Sequence, residues 1–167
     1  MRRLTTLLVM VVVATAGVVA PPTAAQADSD WYRVQNAGSR KCLDHFAWSS
    51  RVHQYPCNTQ ANQLWTWYQV PGRPDAWYIE ATQSYGCIET AGAGNSAPLV
   101  LRACRSGRTS AMWRWVHVRD GWYAITNVAS GRCVDVPNGT TGDVQLVQYD
   151  CHHRAHQLWK GEKRVSG

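Results

Sequence analysis

Residues 122–159 read WYAITNVASGRCVDVPNGTTGDVQLVQYDCHHRAHQLW, and the landmarks of this stretch recur twice upstream in the same order. Trp122-Tyr123 opens a strand-like run, as Trp31-Tyr32 and Trp77-Tyr78 do at intervals of 46 and 45 residues. Ten or eleven residues later comes cysteine, aliphatic, acid: Cys42-Leu43-Asp44, Cys87-Ile88-Glu89 and Cys133-Val134-Asp135. A second cysteine follows at Cys57, Cys104 and Cys151, and eight or nine residues beyond it stands Trp65, Trp113 or Trp159. Self-similarity at a fixed period of this size marks a repeat architecture. Three copies, about 31–75, 76–121 and 122–167, fill the chain from Trp31 onward without a linker.

Within each copy, short runs rich in Val, Trp and Tyr alternate with Gly, Pro, Asn and Ser clusters, and no segment holds a helical apolar period for three turns. The reading is all-β. In the first copy strands are expected near 31–36, 41–45, 52–56 and 64–70, which makes twelve over three copies. A 45-residue unit cannot bury its own apolar face, so the copies must share a core. A closed three-fold barrel capped by hairpins, a β-trefoil, does this and leaves no open sheet edge. Of the fifteen pairings open to six cysteines, the repeat selects Cys42–Cys57, Cys87–Cys104 and Cys133–Cys151, one bridge per copy. Each bridge closes a short loop, worth ~3 kcal/mol in the chain-entropy model. A structural zinc site is the competing use of these cysteines, but no pair has the C-x2-C spacing. Trp65, Trp113 and Trp159 are expected in the core, with Trp31, Trp77 and Trp122 beside them at the strand starts.

Upstream of the repeats, Arg2 and Arg3 precede a nearly pure apolar run, Leu7 to Ala20, and then Ala25-Gln26-Ala27. This is the layout of a signal peptide over residues 1–27, too short to span a membrane. The general secretory route is preferred to twin-arginine export because Thr5 and Thr6 follow the arginines. Removing 27 of the 167 residues leaves 140, with all 11 acids and 15 of the 17 basic residues, a net charge of +4. That length suits one domain, residues 28–167. The oxidising compartment implied by export favours disulfides. Lys160, Lys163 and Arg164 form the only basic cluster, read as a solvated tail, so a nucleic-acid partner is not expected. Asn138-Gly139-Thr140 is a glycosylation sequon, meaningful in a eukaryotic secretory host.

The pattern resembles the ricin B-type lectin domain, whose signature is Gln-x-Trp near the end of each repeat. Gln63-Leu64-Trp65 and Gln157-Leu158-Trp159 keep it, whereas Ala111-Met112-Trp113 keeps only the tryptophan. The resemblance implies one shallow sugar site per intact repeat. There the Cys-x-Asp carboxylate accepts bonds from two sugar hydroxyls, an aromatic two residues before the second cysteine stacks on the sugar, a polar residue before Gln-x-Trp binds a hydroxyl, and the Gln steadies the Asp. The chemistry is sound: a carboxylate is acceptor-only, and an aromatic plane suits the apolar face of a pyranose, galactose above all.

Carried over, the first site comprises Asp44, Tyr55, Asn62 and Gln63, and the third Asp135, Tyr149, His156 and Gln157. The loop after Asp44 is short, with 11 positions to Tyr55 against 14 from Asp135 to Tyr149, and carries Phe46 and Trp48. Trp48 is expected either as an extra stacking surface or as a loop anchor. The middle copy looks dead, since Glu89 replaces the Asp, Arg102 the aromatic and Ser110-Ala111 the polar-Gln pair. His152, His153 and His156 invite a metal reading. It is set aside on the ground that strand neighbours face opposite ways and no acid-rich partner set is evident. The expected protein is a secreted, non-catalytic lectin without cofactor, for galactose-bearing glycans or xylan-type polysaccharides. The alternative is a sugar-blind trefoil, a protease inhibitor or toxin component, that grips a protein partner through the 45–51 loop.

Overall fold

The computed structural model describes residues 30–164 apart from 47, 105 and 106; the stretch read as a signal peptide lies outside the described residues. Twelve strands follow one another: β1 (Trp31–Asn36), β2 (Cys42–His45), β3 (Val52–Tyr55), β4 (Trp65–Val70), β5 (Arg73–Ala81), β6 (Gly86–Thr90), β7 (Ala97–Ala103), β8 (Trp113–Arg119), β9 (Trp122–Asn127), β10 (Cys133–Asp135), β11 (Val147–Tyr149) and β12 (Trp159–Arg164). The outer strands of each copy pair in the ring β1–β4–β5–β8–β9–β12 and back to β1, all antiparallel. This six-stranded barrel has no free edge. The inner strands form the hairpins β2–β3, β6–β7 and β10–β11 that cap one end. The chain is a β-trefoil, as the repeat requires.

Trp65, Trp113 and Trp159 open the last strand of each copy, and all three are fully buried with Val34, Ile79, Ile125, Leu43, Ile88 and Val134. Each indole also donates a hydrogen bond to the carbonyl between the cysteine and the acid: Trp65 to Leu43 at 3.0 Å, Trp113 to Ile88 at 2.8 Å and Trp159 to Val134 at 3.1 Å. A buried indole N–H needs such a partner. The bond ties the end of each copy to its acid. The three disulfides are those the repeat selects.

The strand-start tryptophans need correction. Tyr32 pairs with Trp65 and Tyr123 with Trp159, but in the middle copy it is Trp77 that pairs with Trp113. The Trp-Tyr pair is therefore one residue out of register in that copy. A one-residue slip turns every side chain to the other face: Ala76 and Tyr78 are buried, whereas Trp31 is 36% exposed and Trp77 and Trp122 are only half-buried. None of the three belongs to the central core.

At the uncapped end the equivalent positions Tyr32, Trp77 and Tyr123 meet Trp67, Trp115 and Gly161 around a cavity of ≈ 300 Å³. Trp67 and Trp115 each stand two residues past a core tryptophan and contact edge to face at 4.9 Å. Gly161 holds the third such place, so five rings and one gap line the barrel base.

Candidate functional site

Each candidate cleft lies beside a cap hairpin, where the acid stands at the end of β10 or one residue before the end of β2 and the partner strand ends in the aromatic. Cys42 pairs with Tyr55, Cys133 with Tyr149 and Cys87 with Arg102, so the three positions are equivalent. Behind each acid a 3-10 turn, Ala61–Gln63, Thr109–Ala111 or Ala155–Gln157, delivers the residues that precede the core tryptophan.

The Gln of Gln-x-Trp is a fully buried brace. Gln63 Nε2 donates to Asp44 Oδ2 at 2.7 Å and to the Pro56 carbonyl at 3.0 Å, while its Oε1 accepts the Asn58 amide at 2.8 Å. Gln157 repeats this with Asp135 Oδ2 at 2.7 Å, the Asp150 carbonyl at 3.0 Å and the His152 amide at 2.8 Å. Every hydrogen-bonding atom of the brace is engaged, which a buried amide requires.

In the first cleft Asn62 Nδ2 also donates to both Asp44 oxygens, at 3.0 and 2.9 Å. A carboxylate offers about four lone-pair sites, and three are thus taken. The amide oxygen of Asn62 is buried with no hydrogen-bond partner among the described residues. His53 Nε2 stands 3.2 Å from Asp44 Oδ1 without hydrogen-bond alignment. Burial pushes the Asp44 pKa up to about 6 and that of His53 down to about 4. At neutral pH the imidazole is uncharged, so the pair is not a salt bridge. Phe46 stacks flat on His53, with ring centroids 3.9 Å apart. Trp48 is 99% exposed and so anchors nothing; it stands at the rim of a cleft of ≈ 700 Å³ with Tyr55.

The third cleft is smaller, ≈ 240 Å³, between Asp135, Tyr149, Asn138, His152 and His156. Here, among the described residues, Asp135 accepts only the Gln157 bond, and its carboxyl pKa is pushed upward by burial. Nε2 of His152 and Nε2 of His156 each lie 3.7 Å from Asp135 Oδ2. Residues 150–154 are not in a strand, so the premise against a metal fails at His152. The chain turns there and brings His152 beside His156, while His153 lies against the Cys133–Cys151 bridge. One signal of this is present in the sequence, the i, i+4 spacing of His152 and His156. Burial lowers the His152 pKa, and the neighbouring His156 adds to this.

In the middle copy Glu89 is fully engaged from within. Arg108 grips it through Nε at 3.1 Å to both oxygens and through Nη2 at 2.8 Å, and Ser110 Oγ adds a bond at 2.9 Å. Arg102 occupies the aromatic position and Ala111 the place of the Gln brace. Arg108, which the sequence reading passed over, is the residue that blocks the acid.

The fold is shared with proteins of known structure. A designed three-fold symmetric protein, ThreeFoil, is 25% identical, with 78% of this chain and 96% of that chain covered and a TM-score of 0.73. An agglutinin from Rhizoctonia solani is 18% identical, with 89% and 100% covered at a TM-score of 0.71. An exo-beta-1,3-galactanase from Clostridium thermocellum is 22% identical at a TM-score of 0.76, with 83% of this chain but only 31% of the enzyme covered. Residues 19–101 and 109–167 match the ricin-type beta-trefoil lectin domain-like family, and the chain belongs to it.

Proposed function

We propose that the chain is a secreted, non-catalytic carbohydrate-binding protein with sugar sites in the first and third clefts. The observation that supports this reading is shared by both: a buried carboxylate, held from behind by a saturated Gln brace, opposite a tyrosine that is 40% exposed. Asp44 and Asp135 would accept hydroxyls, Tyr55 and Tyr149 would stack, and Asn62 and His156 would each add a polar contact. Galactose-bearing glycans come first and xylan-type polysaccharides second. Each lining contains a single acid, whereas glycoside hydrolysis uses two. Export rests on the N-terminal basic, apolar and small-residue pattern.

One such shallow site binds with Kd ~1 mM, about −4 kcal/mol; two on one polymer gain ~10²-fold. The test is a glycan array with the oxidised protein beside its Asp44→Ala/Asp135→Ala variant. Binding that vanishes in the variant supports the reading, and binding that survives moves the site elsewhere. A folded protein that binds no glycan favours the protein-partner alternative, with Trp48 as its anchor.

A further inference from the structure

We propose that Asp135, His152 and His156 form a binding site for one divalent transition-metal ion of the zinc class. Their ligand atoms lie within 4.8 Å of one another, and both imidazole Nε2 atoms stand 3.7 Å from Asp135 Oδ2. Ligands at zinc distances of 2.0–2.2 Å in a tetrahedron are about 3.3 Å apart. The two Asp–His pairs therefore need to close by a few tenths of an ångström, and the two rings by at most about 1.5 Å. Imidazole with carboxylate is a donor set for Zn²⁺, Cu²⁺ or Ni²⁺ rather than for Ca²⁺ or Mg²⁺.

The surroundings support the ligands. Gln157 donates to Asp135 and so fixes its orientation, as partners of metal-bound carboxylates do. The backbone of Gly139 packs close to His156 Nδ1: a Cβ there would lie 3.2 Å from it. His152 Nδ1 accepts the Arg154 amide at 3.3 Å. Metal on Nε2 moves the ring proton to Nδ1 and releases that exposed amide to water, so no net proton is lost. His153 is not a member, because its neighbours are disulfide sulfurs that cannot ligate. Three protein ligands leave the ion an open position, and this one faces the Tyr149 cleft. Resting on the lectin reading, a sugar hydroxyl would complete the coordination there.

The test is titration of the oxidised, chelator-treated chain with ZnCl₂ by calorimetry, without sugar, and with CoCl₂ by visible absorption. One ion per chain and a tetrahedral Co²⁺ band are expected. His152→Ala and His156→Ala should each weaken binding more than the ~10–100-fold that loss of a supporting partner costs, with unchanged circular dichroism. His153→Ala should leave it intact. No binding, binding that survives His152→Ala/His156→Ala, or an equal loss in His153→Ala would overturn the site. Glycan retention with and without chelator separates the two readings. Retention indifferent to Zn²⁺, with no metal bound, sinks the metal site alone. Stoichiometric Zn²⁺ binding without glycan retention keeps the metal site and sinks the lectin reading.

Discussion

The first and middle copies share a scaffold and differ in what faces solvent. Both have the disulfide, both bury the tryptophan, and in both its indole bonds the carbonyl before the acid. Yet Asp44 is braced by Gln63 opposite Tyr55, while Glu89 is clamped by Arg108 opposite nothing aromatic. The difference teaches that the core and the cleft are encoded by separate residues. The tryptophan serves the barrel, which needs three copies, and the residues around the acid are free to diverge.

The sharpest way to break this comparison is at the shared tryptophan. Trp65→Ala and Trp113→Ala should each cost about 3–5 kcal/mol, read as a fall in the denaturant midpoint. A much smaller cost in the middle copy would show that its core role has lapsed with its cleft. Next comes the acid. In an Asp135→Ala background, Asp44→Ala should lose the ~1.5–3 kcal/mol of hydrogen bonds to a charged group, tenfold or more in glycan affinity. Glu89→Ala should leave affinity unchanged, and any loss there would revive the middle site.

A third test uses pH. Burial raises the folded Asp44 pKa to about 6 from an ordinary 3.8, so folding favours its protonated form. That contribution to stability is full below pH 3.8 and is lost as pH rises through about 6. Binding runs the opposite way, because the acceptor carboxylate disappears as pH falls through the same value. In the Asp135→Ala background, affinity measured from pH 8 to 5 should drop with a midpoint near 6, and a flat profile would remove Asp44 from the contact. The smallest effect concerns the barrel base. Gly161→Leu should raise stability by about 0.5–1 kcal/mol, since glycine weakens a strand interior and Gly161 borders the open cavity. An unchanged or lower melting temperature would show the gap to be a poor fit for a side chain.

The three-fold fold was legible because cysteines, acids and tryptophans keep their order through all copies. The register slip in the middle copy was half visible: eleven residues separate Trp31 from Cys42 and Trp122 from Cys133, but only ten separate Trp77 from Cys87. Only strand pairing shows which tryptophan then faces the barrel. Asp44, Gln63 and their counterparts were legible as motif positions, but their partners were not. Arg108 reaches Glu89 through tertiary packing, and His53 faces Asp44 through the register of the β2–β3 hairpin, which residue spacing alone does not set. The turn at residues 150–154 that sets His152 beside His156 carries no such motif, and at 99% exposure Trp48 is no loop anchor, while its place at the cleft rim keeps the stacking reading.

The disulfides join cysteines that are neighbours in chain order: first to second, third to fourth, fifth to sixth. A chain oxidised from its N-terminus as it emerges pairs each cysteine with the next one to appear, and no bridge has to be undone for a later one to form. Thiol–disulfide reshuffling, a step of seconds to hours, drops out of that route, whereas a full-length reduced chain, with all fifteen pairings open at once, should need it and refold faster with an isomerase than with a simple oxidant.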